Sequence, residues 1–98
     1  MLVVNAFYVI KEEQEAAFLA EMKVLVEKSR TEEGNVSYAL YKQTDMPLRY
    51  AMIETWKNRT AFDEHTQMPH FTDYASRSDQ YFAAPKQVAL YETAEKCE

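Results

Sequence analysis

The nine residues from Leu2 to Ile10 are apolar in both phases of a strand's two-residue repeat, and only Asn5 breaks the run. Leu2, Val4, Ala6, Tyr8 and Ile10 fall on one face, Val3, Phe7 and Val9 on the other. Such a run reads as a strand buried on both sides. The segment Arg49 to Trp56 repeats the pattern, with Tyr50, Met52, Glu54 and Trp56 on one face and Ala51 and Ile53 on the other. A chain of 98 residues has room for one core. It must therefore find cover for both faces of its sheet.

The intervening segments supply one cover. Lys11 to Glu15 is acid-rich, as suits a helix start. Phe18, Met22, Leu25 and Ser29 then recur at helical spacing, predicting an amphipathic helix that ends before Gly34. From Asn35 the period drops to two, with Val36, Tyr38 and Leu40 on one face of a second strand. A turn at Thr44–Pro47 leads into the Arg49–Trp56 strand. Asn58 is placed to cap a short helix through Met68. Pro69 opens another, whose Phe71, Tyr74, Ala75, Ser78 and Tyr81 share a face, and Gln87 to Glu92 makes the last strand. The order β-α-β-β-α-β predicts an α+β, ferredoxin-like fold with an antiparallel sheet and its helices on one face. The expected domain spans residues 1–94, followed by a short charged tail, 95–98. Large apolar faces are rarely left in water, so the second face predicts a sheet-to-sheet homodimer.

Composition removes whole classes of function. Sixteen acidic against eleven basic residues give a net charge of −5, which builds no cationic track for nucleic acid. Cys97 has no partner for a disulfide or a zinc site. No apolar run approaches the ~18 residues of a membrane span, and the Met1–Asn5 start has no basic leader. The expectation is a soluble, cytoplasmic protein.

Nucleotide loops, nucleophile elbows and zinc-binding helices are absent from the sequence, and two histidines with scattered carboxylates make no metal set. A few residues stand out. Asn5 interrupts an apolar strand, as an amide tied to nearby backbone or as a donor aimed into a pocket between sheet and helices. His65 shares the apolar face of Ala61 and Phe62, as a satisfied core residue or as the chain's best general acid or base. His70 follows Pro69 at a helix start, where it holds the loop or assists at a site. Glu54 shares a strand face with Trp56 and is either a base raised by burial or the partner of a cation such as Arg49. Trp56, Phe62 and Tyr74 suit an aromatic-walled pocket and a packed core equally well.

Taken in order, Glu33-Gly34 leading into Tyr38, Glu54-Thr55-Trp56 followed by Ala61-Phe62, His65 with Pro69-His70-Phe71, and the Pro85–Tyr91 segment resemble the antibiotic biosynthesis monooxygenase family of dimeric α/β barrels. The resemblance covers nearly the whole chain. It implies a ferredoxin-like homodimer and, by analogy with small quinol monooxygenases, oxidation of a small aromatic quinol or phenol by O2 with no cofactor. His65 would then be the base or proton shuttle and Asn5 the holder of an oxyanion or peroxide. Trp56, Phe62, Tyr74 and Glu54 would contact substrate, with His70 gating or assisting. A haem-degrading branch resembles this chain at Asn5 but places its iron-ligating histidine where Ala75 stands, which disfavours haem. Another branch isomerises a phosphorylated sugar derived from autoinducer-2, for which Lys42, Arg49, Lys57 and Arg59 are widely dispersed. A non-catalytic dimer binding a hydrophobic small molecule is the third alternative.

Overall fold

A computed structural model describes residues 1–93, so the expected tail with Cys97 lies outside the described residues. The elements run β1 (Leu2–Val9), α1 (Glu15–Ser29), β2 (Asn35–Lys42), β3 (Arg49–Trp56), α2 (Arg59–His65), α3 (Pro69–Ala75) and β4 (Gln87–Glu92), with 3₁₀ turns at Glu12–Gln14 and Ser78–Tyr81. The four strands form one sheet in the order β2-β3-β1-β4, every pair antiparallel. This is the expected ferredoxin-like α+β fold.

Register decides which side chains meet. Leu2 stands opposite Trp56, Val4 opposite Glu54, Ala6 opposite Met52 and Tyr8 opposite Tyr50. All eight are buried beneath the helices. α1 brings Phe18, Met22, Leu25 and Ser29 down onto them, the four positions expected from its spacing. Phe18 is the hub of this layer, with Tyr8, Tyr50 and Tyr81 ringed around it at centroid distances of 5.7, 5.4 and 6.0 Å.

Three boundaries differ from the sequence reading. Ile10 leaves the strand and forms an isolated bridge with Phe82. α2 stops at His65 rather than Met68, because the residue before a proline is pushed out of the helical region and Met68 is extended at ψ 141°. α3 stops at Ala75, and a 3₁₀ turn carries Ser78 and Tyr81 into the core. The shared face foreseen for this segment survives the break.

The opposite sheet face carries no helix. Phe7, Ile53, Tyr41 and Tyr91 are exposed there. Asn5 belongs to this face: it is out of phase with Val4 and Ala6, and it pairs with Ile53 on β3 and Ala89 on β4. The expectation that Asn5 points between sheet and helices is therefore corrected by strand parity. At one end of the sheet, Thr93 N–H donates to the Met1 carbonyl at 2.7 Å, and the Met1 amine donates back to the Thr93 carbonyl. This ties the beginning of β1 to the end of β4.

A buried histidine–carboxylate cluster

The candidate site is assembled by a turn and two short helices. After α1 the chain turns through Thr31-Glu32-Glu33-Gly34, closed by the Asn35 N–H donating to the Glu32 carbonyl at 3.0 Å. Gly34 is the only glycine of the chain. A Cβ at that position would collide with the Cβ of Ala61, so a hydrogen atom there lets the turn lie directly against α2. The Gly34 carbonyl also accepts from the Lys57 N–H at 2.9 Å, and Asn58 caps α2 by accepting from the Ala61 N–H at 2.8 Å. These contacts fix α2 over the turn, and its last residue, His65, reaches Glu32.

One oxygen of Glu32 serves two imidazoles. Glu32 Oε2 lies 2.6 Å from His65 Nδ1 and 2.8 Å from His70 Nε2. The three side chains are 9, 1 and 10% exposed respectively. A carboxylate has only acceptors to offer, so both ring nitrogens carry the hydrogen. This fixes the tautomer of neutral His65: Nδ1 donates to Glu32, and Nε2 is a bare acceptor. His65 Nε2 is buried with no hydrogen-bond partner. Burial pushes the His65 pKa down and its bond to Glu32 works the other way, with burial the larger effect.

Aromatic rings box this imidazole. Trp56 lies 4.6 Å from it, Phe71 5.0 Å, Tyr38 5.5 Å and Phe62 6.4 Å, centroid to centroid. The Trp56 indole N–H donates to Glu54 Oε1 at 3.0 Å, so the alternative that paired Glu54 with Arg49 is not what the side chains do. Burial raises the Glu54 pKa to about 7, against the indole hydrogen bond and with a smaller push from Glu32. Burial likewise raises the Tyr8, Tyr38 and Tyr74 phenols well above their usual range. The space between sheet and helices thus holds neutral phenols, a carboxyl poised near neutrality and an imidazole that resists protonation.

Of the residues singled out in the sequence, His65, Trp56 and Phe62 meet directly, and His70 joins them through Glu32. Glu54 is linked by the indole, and Tyr74 by Phe71, 6.4 Å away. Asn5 is separated from all of them by the sheet. Glu32 is the member of the cluster that sequence reasoning misses. Its one signal is a pair of acids at the C-terminal end of a helix, where the macrodipole disfavours negative charge. A groove of about 460 Å³ between α1 and α3, lined by Val24, Leu25 and Tyr74 and by the charged Glu21, Lys28, Asp73 and Arg77, meets the cluster only at His70.

Glu32, His65 and His70 could also take a metal ion, since one ligand atom from each lies within 4.8 Å of the others. A metal on His65 Nδ1 would move that ring's hydrogen to Nε2. Metal-bound imidazoles normally donate the second N–H to an acceptor, and Nε2 has none among the described residues. The geometry fits a hydrogen-bonded triad better.

A ferredoxin-like sheet with a histidine–carboxylate cluster sealed under its helices defines a class of small α+β proteins, and comparison with known proteins narrows it. The antibiotic biosynthesis monooxygenase family profile matches residues 1–77. The chain belongs to that family. It is 33% identical over 95 residues to the Bacillus subtilis protein named "Putative monooxygenase YcnE", covering 97% of this chain and all of that one. A solved structure described as an antibiotic biosynthesis monooxygenase superposes with a TM-score of 0.89 at 30% identity, covering 97% of this chain and 100% of the other. The structure of Rv0793 from Mycobacterium tuberculosis shares the fold at a TM-score of 0.92, with 24% identity over 99% of this chain and 98% of that one. Among the described residues no helix is long and apolar enough to cross a membrane.

Proposed function

We propose that this chain is a monooxygenase that oxidises a small electron-rich phenol or quinol with O2, without metal, flavin or haem, and that it works as a homodimer joined through the open sheet face. The observation that carries this reading is the unpartnered Nε2 of His65. A buried acceptor without a donor costs roughly 1–3 kcal/mol, and a ligand hydroxyl would satisfy it. The aromatic box around it suits a flat ring.

In this reading the substrate enters among the rings that box the imidazole and donates its hydroxyl to His65 Nε2. Proton transfer leaves a phenolate in a dry site and an imidazolium paired with Glu32. Desolvation makes the phenolate a better electron donor, and O2 takes its electrons directly. For a phenol with a free para position, one oxygen atom adds to the ring and the other leaves as water, giving a quinone. The substrate supplies all four electrons, so no external reductant is needed. Glu54, protonated below about pH 7, donates a hydrogen bond to an oxygen substituent, while Trp56, Phe62 and Tyr74 form the walls. His70 holds Glu32 from the groove side.

The test is oxygen uptake by chelator-treated protein with reduced naphthoquinols and polycyclic phenols, set against autoxidation. Uptake above the control that collapses in His65→Ala and falls in Glu32→Gln supports the reading. No uptake above the control, with folded protein, overturns it in favour of isomerisation or ligand binding. For the phosphorylated-sugar isomerase, two of the candidate cations are already engaged: Lys42 is held by Glu15 and Arg59 by Asp63.

A further inference from the structure

Each of the three α-helices sends one unpartnered polar atom into the layer above the sheet. Ser29 Oγ comes from α1, His65 Nε2 from α2 and the Tyr74 hydroxyl from α3, and all three are buried without a hydrogen bond. The phenol reading above uses only the histidine. The two hydroxyls are left over, on residues 0 and 4% exposed.

Both stand apart from their counterparts in this chain. A serine or threonine hydroxyl on a helix commonly bonds back to a carbonyl of the preceding turn. Thr31, Thr66, Ser76 and Ser78 do so, onto Lys28, Asp63, Asp73 and Ala75. Ser29 does not. It ends α1 just before the cluster, and its carbonyl accepts from the Glu32 N–H at 3.1 Å. The phenols around Phe18 are also engaged, Tyr50 donating to Glu15 at 2.6 Å and Tyr81 donating to Glu21. Tyr74 is not. The two free hydroxyls share a neighbourhood with the candidate base. The Tyr38 phenol lies within electrostatic reach of both, and its ring is 5.5 Å from His65.

We propose that Ser29 and Tyr74 form a second polar pole of the ligand site, which holds a hydrogen-bond-accepting oxygen of the same molecule whose hydroxyl meets His65. The inference rests on the phenol reading and adds what that phenol must carry. A hydroxyl can donate, whereas His65 Nε2 in its Glu32-held tautomer can only accept. The poles therefore ask for different groups: a hydroxyl to give at one, and a ketone or similar oxygen to receive at the other. A ligand with both satisfies three buried polar atoms, where a simple phenol satisfies one. A site built to hydrogen-bond a group discriminates against the analogue that lacks it. Entry lies among the rings, where Phe62 and Phe71 are only half-buried.

The test compares two ligands of one skeleton by calorimetry under nitrogen: para-hydroxyacetophenone, a phenol with a ketone at its far end, and para-ethylphenol, which lacks the ketone. The proteins are the wild type, Ser29→Ala, Tyr74→Phe and His65→Gln, with circular dichroism confirming that each is folded. The wild type should bind the ketone at least about tenfold more tightly. Ser29→Ala and Tyr74→Phe should each lose most of that preference while keeping wild-type affinity for para-ethylphenol. The ketone also makes its phenol a stronger donor, but that effect is common to these proteins, so the loss in the variants isolates the far pole. His65→Gln should weaken both ligands. A wild type that binds the two ligands equally overturns the proposal, as do hydroxyl variants that keep the preference. Hydroxyl variants that unfold, or that lose both ligands together, mark a merely structural role and overturn it too. A wild type that binds neither ligand overturns the phenol reading itself, and so separates the two failures.

Discussion

The Trp56 indole donates to Glu54 across two positions of the same strand, and both side chains are sealed under the helices. The pair ties a carboxyl whose pKa burial raises to about 7 to the ring that lies nearest His65. The energetics of Glu54 are thus read out beside the candidate base.

Stability should therefore depend on pH with a definite sign. A carboxyl raised above its ordinary value near 4.5 binds more protons folded than unfolded. Its contribution is complete below about 4.5 and is lost as pH rises to about 7, a loss on the order of 3 kcal/mol. Denaturant melts from pH 4.5 to 8 should show stability falling with pH, and Glu54→Gln should flatten the slope. A variant as pH-dependent as the wild type would show that Glu54 is not the titrating group.

His65 acts in the opposite direction. Its lowered pKa means the folded state resists taking up a proton, so its contribution is complete above the ordinary value near 6.5 and is lost on acidification. In the Glu54→Gln background this acid-side loss should stand alone, and His65→Gln should remove it. Nitrogen NMR of the imidazole should find the hydrogen on Nδ1, the less common tautomer, and Glu32→Gln should disturb that preference. A hydrogen found on Nε2 in the wild type would remove the acceptor on which the proposed chemistry depends.

Gly34→Ala should destabilise the chain by about 1–3 kcal/mol, as overpacking does, because the new methyl meets Ala61. The effect should extend beyond stability. Displacing the turn from α2 lengthens the Glu32–His65 contact, so the imidazole resonances should shift as they do in Glu32→Gln. Thermal melts with NMR on the same sample check both consequences.

Asn58→Ala should cost about 1 kcal/mol by removing the cap of α2. Asn58→Asp should restore most of it, since aspartate offers the same acceptor at a helix N-terminus. Chemical denaturation of the three proteins is sufficient to decide.

Much of this architecture is legible in the sequence because it follows from period and punctuation. The double-sided apolar run of β1, the Phe18–Met22–Leu25–Ser29 stripe and the Asn58 cap each have a local cause, and each lies where that cause puts it. The site is only half legible. His65, Trp56 and Phe62 announce themselves by sharing one short stretch of strand and helix. Glu32 comes from a turn 33 residues before His65, and no local rule links the two. Asn5 is misplaced for a different reason: an amide in an apolar strand suggests a pocket, but the parity of that strand sets it with Val3 and Phe7, away from the helices.

The mutual hydrogen bonds of Met1 and Thr93 bring the two ends of the described chain to the same margin of the sheet. A force applied at those two points would open β1 and β4 like a zipper, loading their hydrogen bonds one after another instead of all together. The seam between these strands is therefore the mechanically weak line of the molecule.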